Sequence, residues 1–146
     1  VERAEPLVAA FAELSPHTLY AILRLRAEAF VVEQECIYLD LDGRDVEPGT
    51  RHVWIEDADD GVVACARVLM EREGSSIGRV VCAPAWRSKG LGARVMRAAL
   101  ACAPAPVALN AQAHLASWYG RMGFDVCGDE FLEDGIPHVP MVRSRA

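Results

Sequence analysis

The sequence predicts an α+β fold built on a mixed, mainly antiparallel sheet. Three observations carry that expectation. Two β-rich runs, "RHVWIED" and "VVACARVLME", are joined by Ala58-Asp59-Asp60-Gly61, and Asp-Gly between such runs is a hairpin signal in which glycine supplies the positive φ. A third strand-like run, "SIGRVVCA", follows a second turn at Glu73-Gly74. After it comes a helical stretch with apolar residues at 91, 95, 98, 99 and 102, and then the short apolar run "VALNAQ". A strand–helix–strand crossover is normally parallel and right-handed, which sets one parallel pair among antiparallel neighbours.

The elements can be justified in order. Ser15-Pro16 opens a helix over 16–32, with serine at the cap and proline where a missing N–H costs nothing. Its apolar residues fall at 19, 22, 23 and 30, and Arg24 and Glu28 lie one turn apart on a wetter side. Val8–Glu13 and the loop Glu33–Thr50 show no clear period. Within that loop "DLDGRD" (40–45) places its glycine two residues too early for a calcium-binding EF-hand and lacks the closing glutamate, so a solvated acidic turn is expected. Strands then cover 51–57, 62–71 and 76–83. Pro104 and Pro106 end the helix that begins after Pro84, and 107–112 is the next strand. "HLASWYGRMG" (114–123) reads as a helix with Leu115, Trp118 and Met122 on one side and Gly123 as its stop. "FDVCGDEFLE" and "IPHVPMV", joined at Asp134-Gly135, read as a closing hairpin.

Composition narrows the function. A single domain over 1–146 is expected, since 146 residues suit one core. A net charge of −6 without a Lys/Arg run excludes a nucleic-acid partner. The five cysteines are scattered, odd in number and without a CxxC pair, which argues for no metal and no disulfide framework. No apolar run approaches the length of a membrane span, and no signal pattern opens the chain. The expectation is a cytoplasmic protein, monomer or homodimer, with no membrane partner.

Against that acidic background Arg87-Ser88-Lys89-Gly90-Leu91-Gly92 stands out at the mouth of a helix. The first N–H groups of a helix lack intrahelical partners and its dipole favours an anion there. Neither nucleotide signature fits: no Lys-Ser/Thr follows a glycine, position 95 is valine, and the next strand ends in Asn110-Ala111-Gln112 rather than an acidic residue. On the residues alone, a helix start without a ligand stays open.

Arg87-x-x-Gly90-x-Gly92 resembles the (Q/R)-x-x-G-x-(G/A) pyrophosphate loop of the GNAT N-acetyltransferases. "WYGRMGF" is similar to that family's Y-x-x-x-G-F segment, with Tyr119, Gly123 and Phe124 in the matching places. "LRLRAEAFVVEQ", "LNAQAHL" and "EDGIPH" resemble its ElaA-like branch, so the likeness runs from about residue 15 to the end. It implies a GNAT-type sheet with helices on both faces and its parallel pair, 76–83 and 107–112, splayed at the site of acetyl-CoA. It further implies direct transfer of acetyl to a primary amine of a small molecule or peptide, with no metal and no covalent enzyme intermediate. Carried over residue by residue, a bulge at Val80, Val81 and Cys82 would meet the pantetheine arm, with the Val81 N–H polarising the thioester carbonyl. Arg87, Ser88, Lys89, Gly90, Leu91, Gly92 and Ala93 would hold the pyrophosphate. Gln112 stands where many members have an arm-contacting asparagine. Tyr119 would be the general acid for the departing thiolate, although its place on the stripe with Leu115 leaves a core tyrosine open. Glu33 is the candidate base, and Glu33, His114 and His138 are the substrate-side candidates. Two other functions stay in view: a CoA-binding sensor or interaction module without turnover, and an acyl-homoserine-lactone synthase-like enzyme.

Overall fold

The computed structural model describes residues 4–145. Its sheet contains β1 (Leu7–Ala9), β2 (Arg51–Asp57), β3 (Gly61–Met70), β4 (Ser75–Cys82), β5 (Val107–Gln112), β6 (Asp125–Val126), β7 (Phe131–Glu133) and β8 (Ile136–Arg143). The spatial order is β1-β2-β3-β4-β5-β8-β6, with β7 also pairing β8. Among the described residues only β4 and β5 pair in parallel. The predicted α+β class with one parallel pair is what the chain adopts.

Among the described residues three α-helices cover the sheet: α1 (Pro16–Arg26), α2 (Leu91–Ala101) and α3 (Ala116–Gly120). Strand alternation sorts them by face. Val53 and Ile55 of β2 point into the core that holds Leu91, Val95, Met96 and Ala99 of α2, together with Tyr119 of α3. Trp54 between them points the other way, into a second core with Ile22 and Leu25 of α1. Helices therefore flank both faces. The apolar stripe of α2 makes the larger core, and Ser15 caps α1 by accepting from the Thr18 N–H at 3.1 Å. No helix among the described residues is long and apolar enough to cross a membrane.

Four local expectations need correction. The first helix keeps α geometry only to Arg26 and continues as a π-helix over Ala27–Glu33, where Gln34 N–H reaches back five residues to Ala29 O at 3.0 Å. The helix expected over 114–123 is a 3-10 turn (Ala113–Leu115) followed by α3 alone, with Gly123 at φ 92 after it. The strand expected over 124–133 is broken into β6 and β7. Cys127 N–H donates to Pro140 O at 2.9 Å, but Pro140 has no N–H to return, and the ladder stops there.

The fourth correction is the largest. The "DLDGRD" loop is not a solvated turn: Asp40 and Asp45 are buried, and with Asp42 they meet three arginines from three separate elements. Arg26 of α1 places Nε 3.0 Å from Asp40 Oδ2 and Nη1 2.8 Å from Asp45 Oδ1. Arg67 of β3 forks onto both oxygens of Asp42 at 2.9 Å and reaches Asp45 Oδ1 at 3.1 Å. Arg79 of β4 sets Nε 2.7 Å from Asp40 Oδ1, a charge contact off the N–H direction, and Tyr38 donates to the same oxygen at 2.8 Å. Buried charges persist only when paired and hydrogen-bonded; every charge here is paired, and only the Nε–H groups of Arg67 and Arg79 are buried without an acceptor among the described residues.

Candidate active site

The site begins where β4 and β5 part. They pair at Ser75–Val107 and Ser76–Ala108 and no further. At the point of parting β4 carries an extra residue. Its register against β3 slips between Cys65–Val81 and Arg67–Gly78, with Arg79 at φ 54 inside the slip. The expected bulge is therefore present, one step earlier than Val80-Val81-Cys82. A non-glycine residue in the left-handed region is uncommon, and here the Arg79 side chain is held by Asp40 and lies over the Tyr38 ring at 5.2 Å.

Ladder phase decides which amide faces the gap. Ala83 N–H donates to Val63 O at 2.8 Å. Two residues back, the same phase makes Val81 and Cys65 an exchanging pair, so the Val81 N–H points at β3. The expectation for Val81 is thus corrected: the neighbouring Cys82 turns its N–H and C=O toward the gap, and its carbonyl accepts from Arg87 Nε at 3.2 Å.

From the gap a cavity of about 420 Å³ opens between the sheet, the π-helix and the β7–β8 turn. Val80, Gln112, Tyr119 and His138 line it, so the structure brings together four of the residues singled out from sequence. Tyr119 is buried, packed edge-on between Trp118 at 4.8 Å and Phe124 at 6.1 Å. Burial pushes its phenol up to about 12, which keeps the proton on at neutral pH. Gln112 Nε2 donates to Gln34 Oε1 at 3.4 Å across the cavity. His138, opposite Gln112 in the β5–β8 register, is buried.

Two expected residues lie elsewhere. His114 is exposed on the 3-10 turn and does not line the cavity. Glu33 also stays outside it, at the end of the π-helix, where its carboxylate takes both Nη groups of Arg87 at 2.6 and 2.7 Å. That hydrogen bonding holds its carboxyl below the usual range. A carboxylate so engaged is a poor base, and Glu33 is withdrawn from that role. Cys82 is half-buried with its thiol pushed up by burial, in keeping with packing.

At the head of α2 the turn has the conformation an anion cradle needs. Gly90 sits at φ 80 as the cap, and Ser88 is also left-handed at φ 64. The first intrahelical bond is Arg94 N–H to Gly90 O, so Leu91, Gly92 and Ala93 have no intrahelical acceptor for their N–H groups. No acidic residue enters the first turn. A Cβ at Gly92 would only touch the Trp118 ring, at 3.4 Å, so Gly90 with its left-handed backbone is the glycine this turn requires. Lys89 Nζ lies 6.0 Å from the Trp86 ring beside it. A second hollow of about 260 Å³ runs along α2 from Ala93 through Arg97 to Leu100 and is closed by Arg121 and Met122, which sets two guanidiniums beside it. Arg121 carried no motif in the sequence; only the approach of α2 and the end of α3 sets it beside Arg97. A pyrophosphate at the turn, an extended arm between β4 and β5, and a thioester near Cys82 and Tyr119 fit these residues.

The comparisons with known proteins agree with that geometry. The family model described as "Acetyltransferase (GNAT) domain" matches residues 26–145. A UPF0039 protein of Mycobacterium tuberculosis is 45% identical over 136 residues, covering 90% of this chain and 87% of the relative. Protein ElaA of Escherichia coli is 41% identical over 141 residues, covering 90% of each. Among solved structures, an acyl-CoA N-acyltransferase from Pseudomonas aeruginosa superposes with a TM-score of 0.89 at 39% identity, over 97% of this chain and 99% of that one. The E. coli ElaA crystal structure gives the same score at 40% identity and the same coverage.

Proposed function

The chain belongs to the acetyltransferase (GNAT) family, in its ElaA-like branch, and from that premise we propose that it moves acetyl from acetyl-CoA directly to a primary amine of a small molecule or peptide. Membership carries acyltransferase chemistry with an acyl-CoA donor. Acetyl as the acyl group and nitrogen as the acceptor are the proposal. The observation that supports it most is the splay of β4 from β5 between a bulge on one side and Tyr119 on the other.

When bound, acetyl-CoA supplies an activated thioester carbonyl. Leu91, Gly92 and Ala93 offer N–H groups to its pyrophosphate, with Lys89 adding charge. Arg87 joins them once released from Glu33. The Cys82 N–H faces the gap and polarises the carbonyl, as fixed donors do for a developing oxyanion. Gln112 has the donors and acceptors to position the arm. The amine nitrogen forms a bond to the carbonyl carbon, the carbon–sulfur bond breaks, and Tyr119 gives its proton to the sulfur. Tyr119 regains a proton from the nitrogen as the amide forms. Cys82 forms no covalent bond.

Calorimetry of acetyl-CoA binding tests the foundation. We expect saturable binding by the wild type and its loss in Gly90→Asp/Gly92→Asp, where two carboxylates would face the pyrophosphate. No binding by the wild type would demote the turn to a helix start. Binding without acetylated product across a panel of amines would favour the sensor reading instead.

A further inference from the structure

The cavity contains charged groups that the transfer itself does not use. Arg67 and Arg79 line it, yet both are already neutralised from behind by Asp40, Asp42 and Asp45. Asp134 and Glu133 line it from the β7–β8 turn, so the charge left facing the cavity is negative. It reaches the opposite wall: after burial, these two carboxylates are the groups that push up the Cys36 thiol. The remaining titratable groups facing the space are Tyr38, Tyr119 and His138.

His138 gives this charge a direction. Its Nδ1 lies 2.7 Å from Ile136 O, a carbonyl that can only accept, so in the neutral ring the proton sits on Nδ1 and Nε2 is the acceptor. The ring stacks on Phe131 at 6.0 Å, so it cannot turn freely. Glu133 Oε2 sits 3.4 Å from Nε2 without an aligned hydrogen bond between them. The result is a buried imidazole lone pair and a carboxylate side by side at the cavity wall. Two acceptors at that separation are matched by one group with several N–H donors, and a primary ammonium has three.

We propose that Glu133 and His138 Nε2 together receive the ammonium of the acceptor, and that the acceptor is a cationic amine carrying a second positive charge, a diamine in its simplest form, with Asp134 facing the second charge. This rests on the transferase reading for its chemistry, since an amine must shed a proton before attack. That proton passes from the ammonium to Nε2, and the imidazolium so formed lies beside the Glu133 carboxylate.

The test is binding of 1,4-diaminobutane and of 4-aminobutanoate to protein saturated with CoA, with turnover on acetyl-CoA measured alongside. The diamine should bind, and the amino acid at least tenfold more weakly. Glu133→Gln should weaken the diamine about tenfold and erase the preference, Glu133→Asp should largely restore it, and melting temperatures should stay together. Equal binding of the two ligands, or an unchanged preference in Glu133→Gln, overturns the proposal. A binding preference without acetylated diamine, while other amines of the panel are acetylated, overturns the diamine as acceptor; the same preference with no product from any amine leaves the recognition standing and sinks the transferase reading.

Discussion

Tyr119 lies between two ring edges, with Leu115 one turn before it, and lines the cavity. Phenylalanine keeps all of that packing and removes only the donor. Tyr119→Phe should therefore lower kcat about 100-fold, within the range general acids contribute, while acetyl-CoA affinity stays within about twofold of the wild type. Equal losses in affinity and rate would make it a packing residue only. The tyrosine was legible in sequence because its segment has fixed spacing to Gly123 and Phe124. The amide that faces the gap was not. Which of Val81 and Cys82 turns inward depends on the ladder phase beyond a bulge, and neither side chain encodes it.

At the scale of elements, one contact joins the end of the π-helix to the loop before α2. Glu33 and Arg87 form a half-exposed bidentate pair, and such pairs contribute little to stability. Arg87 cannot give the same two Nη groups to a phosphate. Glu33→Gln should release it and tighten CoA binding about two- to fivefold in calorimetry, with acetyl transfer retained. A rate loss of about 100-fold would restore Glu33 as a base. Strands 51–57 and 107–112 and the stripe of α2 were readable because period and turn chemistry are local. The Glu33–Thr50 loop was not, since the partners of its aspartates lie up to 39 residues away. One clue was present: Arg67 interrupts an otherwise apolar strand, and a buried arginine calls for a carboxylate.

For the whole molecule that cluster sets the acid response. Burial, the largest single influence, would raise Asp42 and Asp45, but the hydrogen bonds and charges of Arg67, Arg79 and the Arg44 N–H at Asp42, and of Arg26 and Arg67 at Asp45, together outweigh it and hold both below their ordinary range. Carboxyls depressed in the folded state stabilise it above their unfolded pKa, about 3.9, and lose that contribution as pH falls through the folded value. Urea midpoints should stay level from neutral pH to about 5 and drop steeply below about 4, and Asp42→Asn should flatten that drop. Asp45→Asn should cost about 3 kcal/mol at pH 7, because one buried carboxylate is lost to both Arg26 and Arg67 and Asp40 alone remains to Arg26. The three aspartates come from a six-residue run, whereas their arginines come from α1, β3 and β4. A chimera that imports another member's loop thus inherits a plug shaped for that member's socket. Loop swaps between relatives will retain their fold only where the host has all three arginines, so this segment can diverge by point changes around the plug far more readily than by being exchanged whole.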